Sequence, residues 1–500
     1  MIQTINDLLR NGKGLVFVGL LLALLAGCGG SDDGGPVADP GPSAPSGDGN
    51  NNDDGTGDDN ANDDDGSNDD DGTGDDDGTG DDGSNDDGTD DTTDEPADDE
   101  RTFETFQSAS FVIGQPDFAG GEANQGGAAP DANSLYLPLG GVGYSSENDV
   151  LFIADSENAR VLGFLGTPDM NNANADFVLG QSDFTSSERT ISAGGMFSPE
   201  AVTTTGGKLI VTDTDLNRVT IYEDIPSSGG VTPVLVVGQP SLNENVGAIC
   251  DQRTLLHPHA HFLSAPDADG DRKFLVADAA HNRILVWNSL PTENYAPADF
   301  VLGQDGFTNC SFRQPENFQH PAALWTDGEQ LIVADSEKHR ILIWNTFPTS
   351  SFEAPDVILG QTDMQHVAPN DDNQDGVADG NVSIPEGCFV EECHVTDADN
   401  GDATARTLFY PRDIAVVDGK LYVADMNNHR VLIWNSIPTA SFTAADVVIG
   451  QQDFTSNAPN AGEAQPNEMG FDQPVGVTLI DDQLFVTEWK NSRVSVFTGQ

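Results

Sequence analysis

The chain is 500 residues long and sets 84 acidic residues against 20 basic ones, a formal charge of −64. That length exceeds one small domain, and a surface this acidic repels phosphate backbones and lacks the basic footprint that nucleic-acid binding needs. Cations, cationic partners or a salty environment suit it instead.

In chain order, residues 1–27 read as a targeting segment rather than fold. Arg10 and Lys13 make a positive start, and the apolar run GLVFVGLLLALLAG (14–27) is too short to span a bilayer comfortably. The run closes in LAGC (25–28), which resembles a bacterial lipobox. That resemblance implies cleavage before Cys28, acylation of Cys28 as a membrane anchor and, with Gly29 rather than Asp following, export to the outer membrane or cell surface. The plainer alternative is a secretory signal with a chance cysteine. Residues 28–102 follow as an Asp/Gly-rich stretch, with 28 acidic residues and no Lys or Arg over 31–100. Such a segment cannot bury enough apolar surface to offset its ordering entropy, so it reads as a disordered, self-repelling tether. Its Asp-x-Asp-Gly phrases look loosely like calcium loops, but a solvated spacer is the simpler reading.

Residues 103–500 repeat three phrases six times, and internal repeats are read before anything else. The first runs from VIGQPDF (112–118) to VIGQQDF (448–454). The second runs from LFIADSENARVLGF (151–164) to LFVTEWKNSRVSVF (484–497). The third opens on Pro138, Pro199, Pro258, Pro321, Pro411 and Pro474. Each unit reads as four short strands, because β-branched and aromatic runs alternate with Gly, Pro, Asn and Asp. Four-stranded units repeated around an axis make a propeller. The pattern of Pro, then apolar-Val-Ala-Asp, Asn and Arg before another apolar run, resembles the NHL repeat over nearly all of 103–500. The resemblance specifies fold and leaves function to grafted sites. The chain stops at SVFTGQ after a third strand, and SASFVIGQ (108–115) is a spare fourth strand. The expected fold is therefore all-β: a six-bladed propeller of four-stranded antiparallel blades, closed by an N-terminal strand that leaves no open sheet edge.

The acid–arginine pair recurs as Asp155/Arg160, Asp213/Arg218, Asp278/Arg283, Asp335/Arg340, Asp425/Arg430 and Glu488/Arg493. Catalysis needs one site, so six copies predict a structural device. The acid accepts turn N–H groups, and the Arg fork reaches carboxylates or carbonyls between blades. His339 and His429 share a slot filled elsewhere by Ala159, Asn217, Asn282 and Ser492, at a turn that favours positive φ. Trp287, Trp344 and Trp434 likewise share one position and read as packing between blades.

Up-and-down strands place the loops from Gly-Gln to Pro on one face with the Asp-x-x-Asn turns. Those loops run to about twenty residues, and to about fifty before the fifth blade. Long loops on a rigid scaffold are where binding sits. Cys250 and Cys310 fall in adjacent loops and Cys388 and Cys393 in the longest one, which predicts disulfides 250–310 and 388–393 in an exported chain, with pairing across the loops as the alternative and buried free thiols as the plain one.

In the longest loop Asp371, Asn373, Asp375 and Asp379 alternate around a Gly, the ligand pattern of a calcium loop. The stretch resembles type-3 thrombospondin or dockerin-like loops but lacks the bidentate Glu at position twelve; a plain acidic loop is the alternative. HPHAH (257–261) opens the third blade, and His257, His259, His261 and His320 form a candidate zinc set. Some propeller lyases similar to NHL proteins hold a central zinc through His from separate blades, whereas three of these four come from one blade. Glu200, Arg412 and Asp413 enter near the axis as candidate catalytic groups, or as polar lining of a wet channel. No nucleophile elbow, phosphate loop or zinc-protease motif is present. The expectation is a surface-anchored, monomeric scaffold with no required cofactor, binding protein, peptide or glycan by its loop face. A metal-dependent lyase or hydrolase at the channel mouth and a calcium-stabilised adhesin are the alternatives.

Overall fold

The computed structural model describes residues 102–247, 249–266, 270–310, 314, 316–378 and 402–500. These form six four-stranded antiparallel sheets in propeller arrangement. The fifth blade is representative: Pro411–Val417, Lys420–Asp425, Arg430–Trp434 and Val447–Ile449 pair in sequence order. The sixth sheet takes its outer strand from the other end of the chain. Phe111–Ile113 pairs antiparallel with Arg493–Thr498, in register Phe111 to Val496, so the N-terminal strand closes the ring as expected.

Strand alternation builds the core, because successive side chains point to opposite faces. Ile332 and Ala334 pack with Val423 and Leu432 of the next blade. Their neighbours Leu331 and Val333 pack with Leu275 and Ile284 of the preceding one. The middle strands are thus buried on both faces and read as continuous apolar runs. The indoles of Trp287, Trp344 and Trp434 lie in these layers, each donating to the carbonyl nine residues on, at 3.3, 2.9 and 3.1 Å.

The first strand of each blade lies nearest its counterparts in the neighbouring blades, around the axis. One departs from expectation. The first blade's inner strand is only Gly143–Ser145, not a run starting at Pro138. Gly140 has φ +68°, which breaks the extended run, and a Cβ there would sit 2.6 Å from the Glu200 carbonyl. Opposite it, a Cβ on Gly476 would meet the Gly140 carbonyl at 2.0 Å. The inner strands touch backbone to backbone on this side, and only glycine permits that approach.

Candidate functional site

The acid–arginine pairs were the first catalytic-looking feature, and their geometry is constructional. In the fifth blade Arg430 is fully buried; its Nε donates to Asp425 Oδ2 at 2.8 Å. Its Nη1 donates to the Phe454 carbonyl at 2.6 Å, in the loop leaving the blade. Its Nη2 donates to the Thr404 and Thr407 carbonyls, both at 2.9 Å, in the loop entering it. Asp425 Oδ1 accepts the Phe409 N–H at 2.7 Å. The planar fork thus ties a blade's two long loops to the end of its second strand. Arg160, Arg218, Arg283, Arg340 and Arg493 hold Asp155, Asp213, Asp278, Asp335 and Glu488 in the same way, with contacts of 2.7 to 3.1 Å. Burial pushes the Asp155, Asp213 and Asp425 carboxyls up, against the pull of their arginines and N–H donors.

The slot that holds His429 joins one blade to the next. Its residue is left-handed in every copy, with φ between +48° and +56°. Its side chain accepts the N–H of the residue before the next blade's proline. His339 Nδ1 takes Tyr410 N–H and His429 Nδ1 takes Gln473 N–H, both at 3.1 Å. Asn217 takes His257, Asn282 takes His320, and Ser492 takes Leu137. Ala159 has no acceptor, and there Ser198 N–H turns to Asp213 instead. His429 is therefore an inter-blade strut, and burial pushes the equivalent His339 down to about 3.

Two repeat devices escaped the sequence reading. The Gln after each repeat's Gly donates its amide to the carbonyl of the left-handed residue, as Gln451 does to His429 at 3.0 Å. Amide pairs join Asn124 to Asn158, Asn370 to Asn428 and Asn460 to Asn491, each at 2.8 Å, the last two buried. A signal existed. Asn stands nine residues after that Gln only in the three repeats that also place Asn three residues after the acid.

At the loop-side mouth of the axis, four blades contribute one hydrogen-bonded chain. His259 Nδ1 lies 2.7 and 2.8 Å from the two oxygens of Glu200. His259 Nε2 lies 3.3 Å from His320 Nε2, and His320 Nδ1 lies 3.0 Å from the Tyr410 hydroxyl. Arg412 Nη2 reaches Glu200 Oε1 at 2.5 Å, and Thr214 donates to Oε2 at 3.0 Å. His259 Nδ1 also lies 2.6 Å from Arg412 Nη2, a donor only, so that nitrogen faces both the Glu200 carboxyl and the guanidinium, and the tautomer it takes sets the direction of the chain through His320 to Tyr410. Burial pushes the Glu200 carboxyl up, against the pull of Arg412. Burial first, then Arg412 for His259 and the neighbouring His259 for His320, holds both well below the ordinary histidine value.

The sequence-derived sets divide here. Glu200 and Arg412 are brought together; Asp413 is not with them as a reactive group. Its Oδ2 accepts Val477 N–H at 2.9 Å and its Oδ1 accepts Ile414 N–H, closing a register shift in the inner strands of the fifth and sixth blades. Burial pushes Asp413 up to about 7. The four histidines do not converge. His261 sits between the hydroxyls of Thr203 and Thr212, at 2.6 and 2.8 Å, and His257 turns to Asp215 at 3.6 Å. A catalytic zinc takes three protein ligands, and among the described residues no group of three or more His, Cys, Asp or Glu is placed to hold a metal ion.

Cys250 and Cys310 are disulfide-bonded as expected, with Cα atoms 5.9 Å apart, tying the entering loops of the third and fourth blades. Cys28, Cys388 and Cys393 lie outside the described residues. In the calcium-like loop Asp371 is fully buried and accepts Asp375 and Gly376 N–H groups, while Asn373 accepts Asp375 N–H. Asp379 lies outside the described residues.

Comparison with known families matches the NHL repeat to residues 410–434, the stretch from Tyr410 through the Asp425–Arg430 pair to Trp434. The fifth blade is an NHL repeat. No curated protein matches this chain in sequence. Among solved structures it is similar to BamB from Moraxella catarrhalis, at 15% identity and a TM-score of 0.35 over 80% of this chain and 99% of that one. It is also similar to a gluconolactonase from Xanthomonas campestris, at 13% identity and 0.36 over 73% and 87%. An auxiliary nutrient binding protein from Bacteroides thetaiotaomicron matches at 11% identity and 0.39 over 72% and 69%.

Proposed function

We propose that this NHL propeller is a non-catalytic binding scaffold, exported and anchored through Cys28, that holds protein, peptide or glycan ligands on its loop face. One observation carries the reading. Six buried arginine forks pin both long loops of every blade to the rigid sheets, as Arg430 does for 404–407 and Phe454. Loops held in this way lose little entropy on binding. The axial groups that suggested chemistry are instead paired with one another and closed off, with Glu200 2%, His259 1% and Arg412 6% exposed. The two converging histidines fall short of a zinc donor set, which weighs against the metal-dependent lyase or hydrolase.

The test is binding of the full-length protein to peptide and glycan arrays, with bulky substitutions on the loop face set against equal ones at the opposite end. Loss on the loop-face variants alone supports the scaffold. Binding indifferent to them, or turnover of a substrate abolished by His259→Ala or Arg412→Ala, overturns it. Metal content of protein purified without chelator adds a second readout: near-stoichiometric zinc would restore the enzyme reading, and calcium with EDTA-sensitive stability would favour the adhesin.

A further inference from the structure

The axial chain holds one arc of the loop-side mouth, and acid acts on it directly. On the other side the inner strands of the sixth, first and second blades meet backbone to backbone at Gly476, Gly140 and the Glu200 carbonyl. Asp413 ties the fifth blade to the sixth through Val477 N–H. From the second blade to the fifth the link across the axis is a row of side chains: Glu200, His259, His320 and Tyr410, with Arg412 returning to Glu200. His320 and Tyr410 are also the last residues of the loops entering the fourth and fifth blades. The chain therefore joins the inner strands to the loop face.

Its weak point is the contact between the two imidazoles. Two Nε2 atoms 3.3 Å apart hydrogen-bond when one carries a proton and the other a lone pair. Either direction of the chain satisfies this, and one extra proton, on Glu200 or on one ring, leaves it intact. With both rings imidazolium, two N–H groups face each other and the contact is lost. The surroundings make that state costly. Arg412 Nη2, a fixed cation, lies 2.6 Å from His259 Nδ1. Glu200 is the carboxyl that faces the rings, and Arg412 and Thr214 already share it. His257 acts on both rings as a further base and turns to Asp215 at the rim. Asp413, beyond Arg412, gives its oxygens to Val477 and Ile414 N–H. Glu200, His259, Tyr410 and Arg412 are buried, so water does not screen these charges; His320 is partly exposed and is where a proton enters.

We propose that this chain is an acid-operated clasp, closed while the His259 and His320 Nε2 atoms share one proton and released when acid charges both rings, so that the mouth loosens at the third and fourth blades while the glycine-packed side stays shut. Burial first holds both histidines well below their ordinary 6.5 in the closed chain, and opening to water restores it. Below about 6.5 the open form therefore binds the extra protons, and acid favours opening. Glu200 opposes this, because burial raises it and the closed chain keeps a proton that the open one sheds. Two protons gained on the rings and one lost from Glu200 leave a net uptake of one. Asp413 stays with the sixth blade on the closed side and adds nothing. One proton multiplies the open population about tenfold per pH unit below 6.5, or about thirtyfold by pH 5.

Hydrogen exchange of the full-length protein at pH 7 and about pH 5, corrected for intrinsic exchange rates, tests the clasp. It uses no ligand, so the clasp and the binding reading can each fail alone. The His257 and His320 amides are held by Asn217 and Asn282, which do not titrate. Leu137 N–H, held by Ser492, reports the glycine-packed side. Protection at 257 and 320 should fall about thirtyfold in acid, and protection at 137 should not change. His320→Gln removes one imidazole but keeps a donor and an acceptor, and Gln473 already fills the equivalent position of the sixth blade, at φ +55° against +57°. With one ring left to gain the proton that Glu200 loses, protection at 257 should become independent of pH over this range. No acid response of the wild type at 257 and 320, an equal response at 137, or a response that survives His320→Gln would each overturn the proposal.

Discussion

Arg430→Met is the sharpest perturbation of the architecture. It removes a guanidinium with no solvent exposure and strands its four partners: Asp425 Oδ2 and the carbonyls of Phe454, Thr404 and Thr407. Asp425 keeps the Phe409 N–H and the Asn428 amide, at 2.7 and 2.8 Å, but loses its only charged contact of that strength. Removing one partner of a buried ion pair costs about 3–5 kcal/mol, roughly two to four decades in the unfolding equilibrium. Asp425→Asn/Arg430→Met, which leaves no uncompensated charge, should be more stable than the single variant. Urea unfolding at pH 7 followed by tryptophan fluorescence reads both, since Trp434 is buried in the same blade. A loss below about 1 kcal/mol for Arg430→Met, or a double variant weaker than the single one, would refute the strut and reopen the catalytic reading of Asp425–His429–Arg430.

Three further outcomes follow from particular contacts. Gly360 has φ +85° and a Cβ there would lie 2.4 Å from the His339 carbonyl, whereas Gly419, at φ +72°, has open space around it. Gly419→Ala should cost about 1–2 kcal/mol of left-handed strain and Gly360→Ala clearly more in the same urea assay; equal costs would disprove the close approach. Cys250→Ser/Cys310→Ser opens a link spanning 60 residues, and chain entropy puts the loss near ~4 kcal/mol; reduction that leaves the melting temperature unchanged would contradict it. Burial holds His261 down at about 3, so below its ordinary value near 6.5 the unfolded chain binds a proton that the folded one excludes. Stability relative to His261→Gln should therefore fall by about 1.4 kcal/mol per pH unit as pH drops from about 6.5 towards 3, and a pH-independent difference would sink the assignment.

Much of the fold was legible because a repeat states its own period. Six copies of one Asp–Arg spacing argue against a single active centre before any coordinate is known, and the spare strand at 108–115 has one vacant place to go. The disulfide between Cys250 and Cys310 was legible for a similar reason, since equivalent loops of neighbouring repeats must lie side by side. The Asn124–Asn158 type of pair was also written in the repeats, as two asparagines that come and go together.

The axis was a different matter. Local pattern placed His257, His259 and His261 together because they are close in sequence, and regular alternation would keep His259 and His261 on one side; the register shift between Pro258 and Ala260, and the left-handed turn at His257, send them to different partners. What joins His259 to Glu200, His320, Tyr410 and Arg412 is the curvature of the ring, which brings side chains up to 212 positions apart within hydrogen-bonding distance. Asp413 looked like an odd acid among small residues, and only the approach of the sixth blade's Val477 N–H explains it. Sequence by itself determined the blade, its count, its closure and its struts, because these depend on short-range periodicity repeated. Tertiary structure alone decided which polar groups meet at the axis, because those distances depend on how six twisted sheets close upon one another.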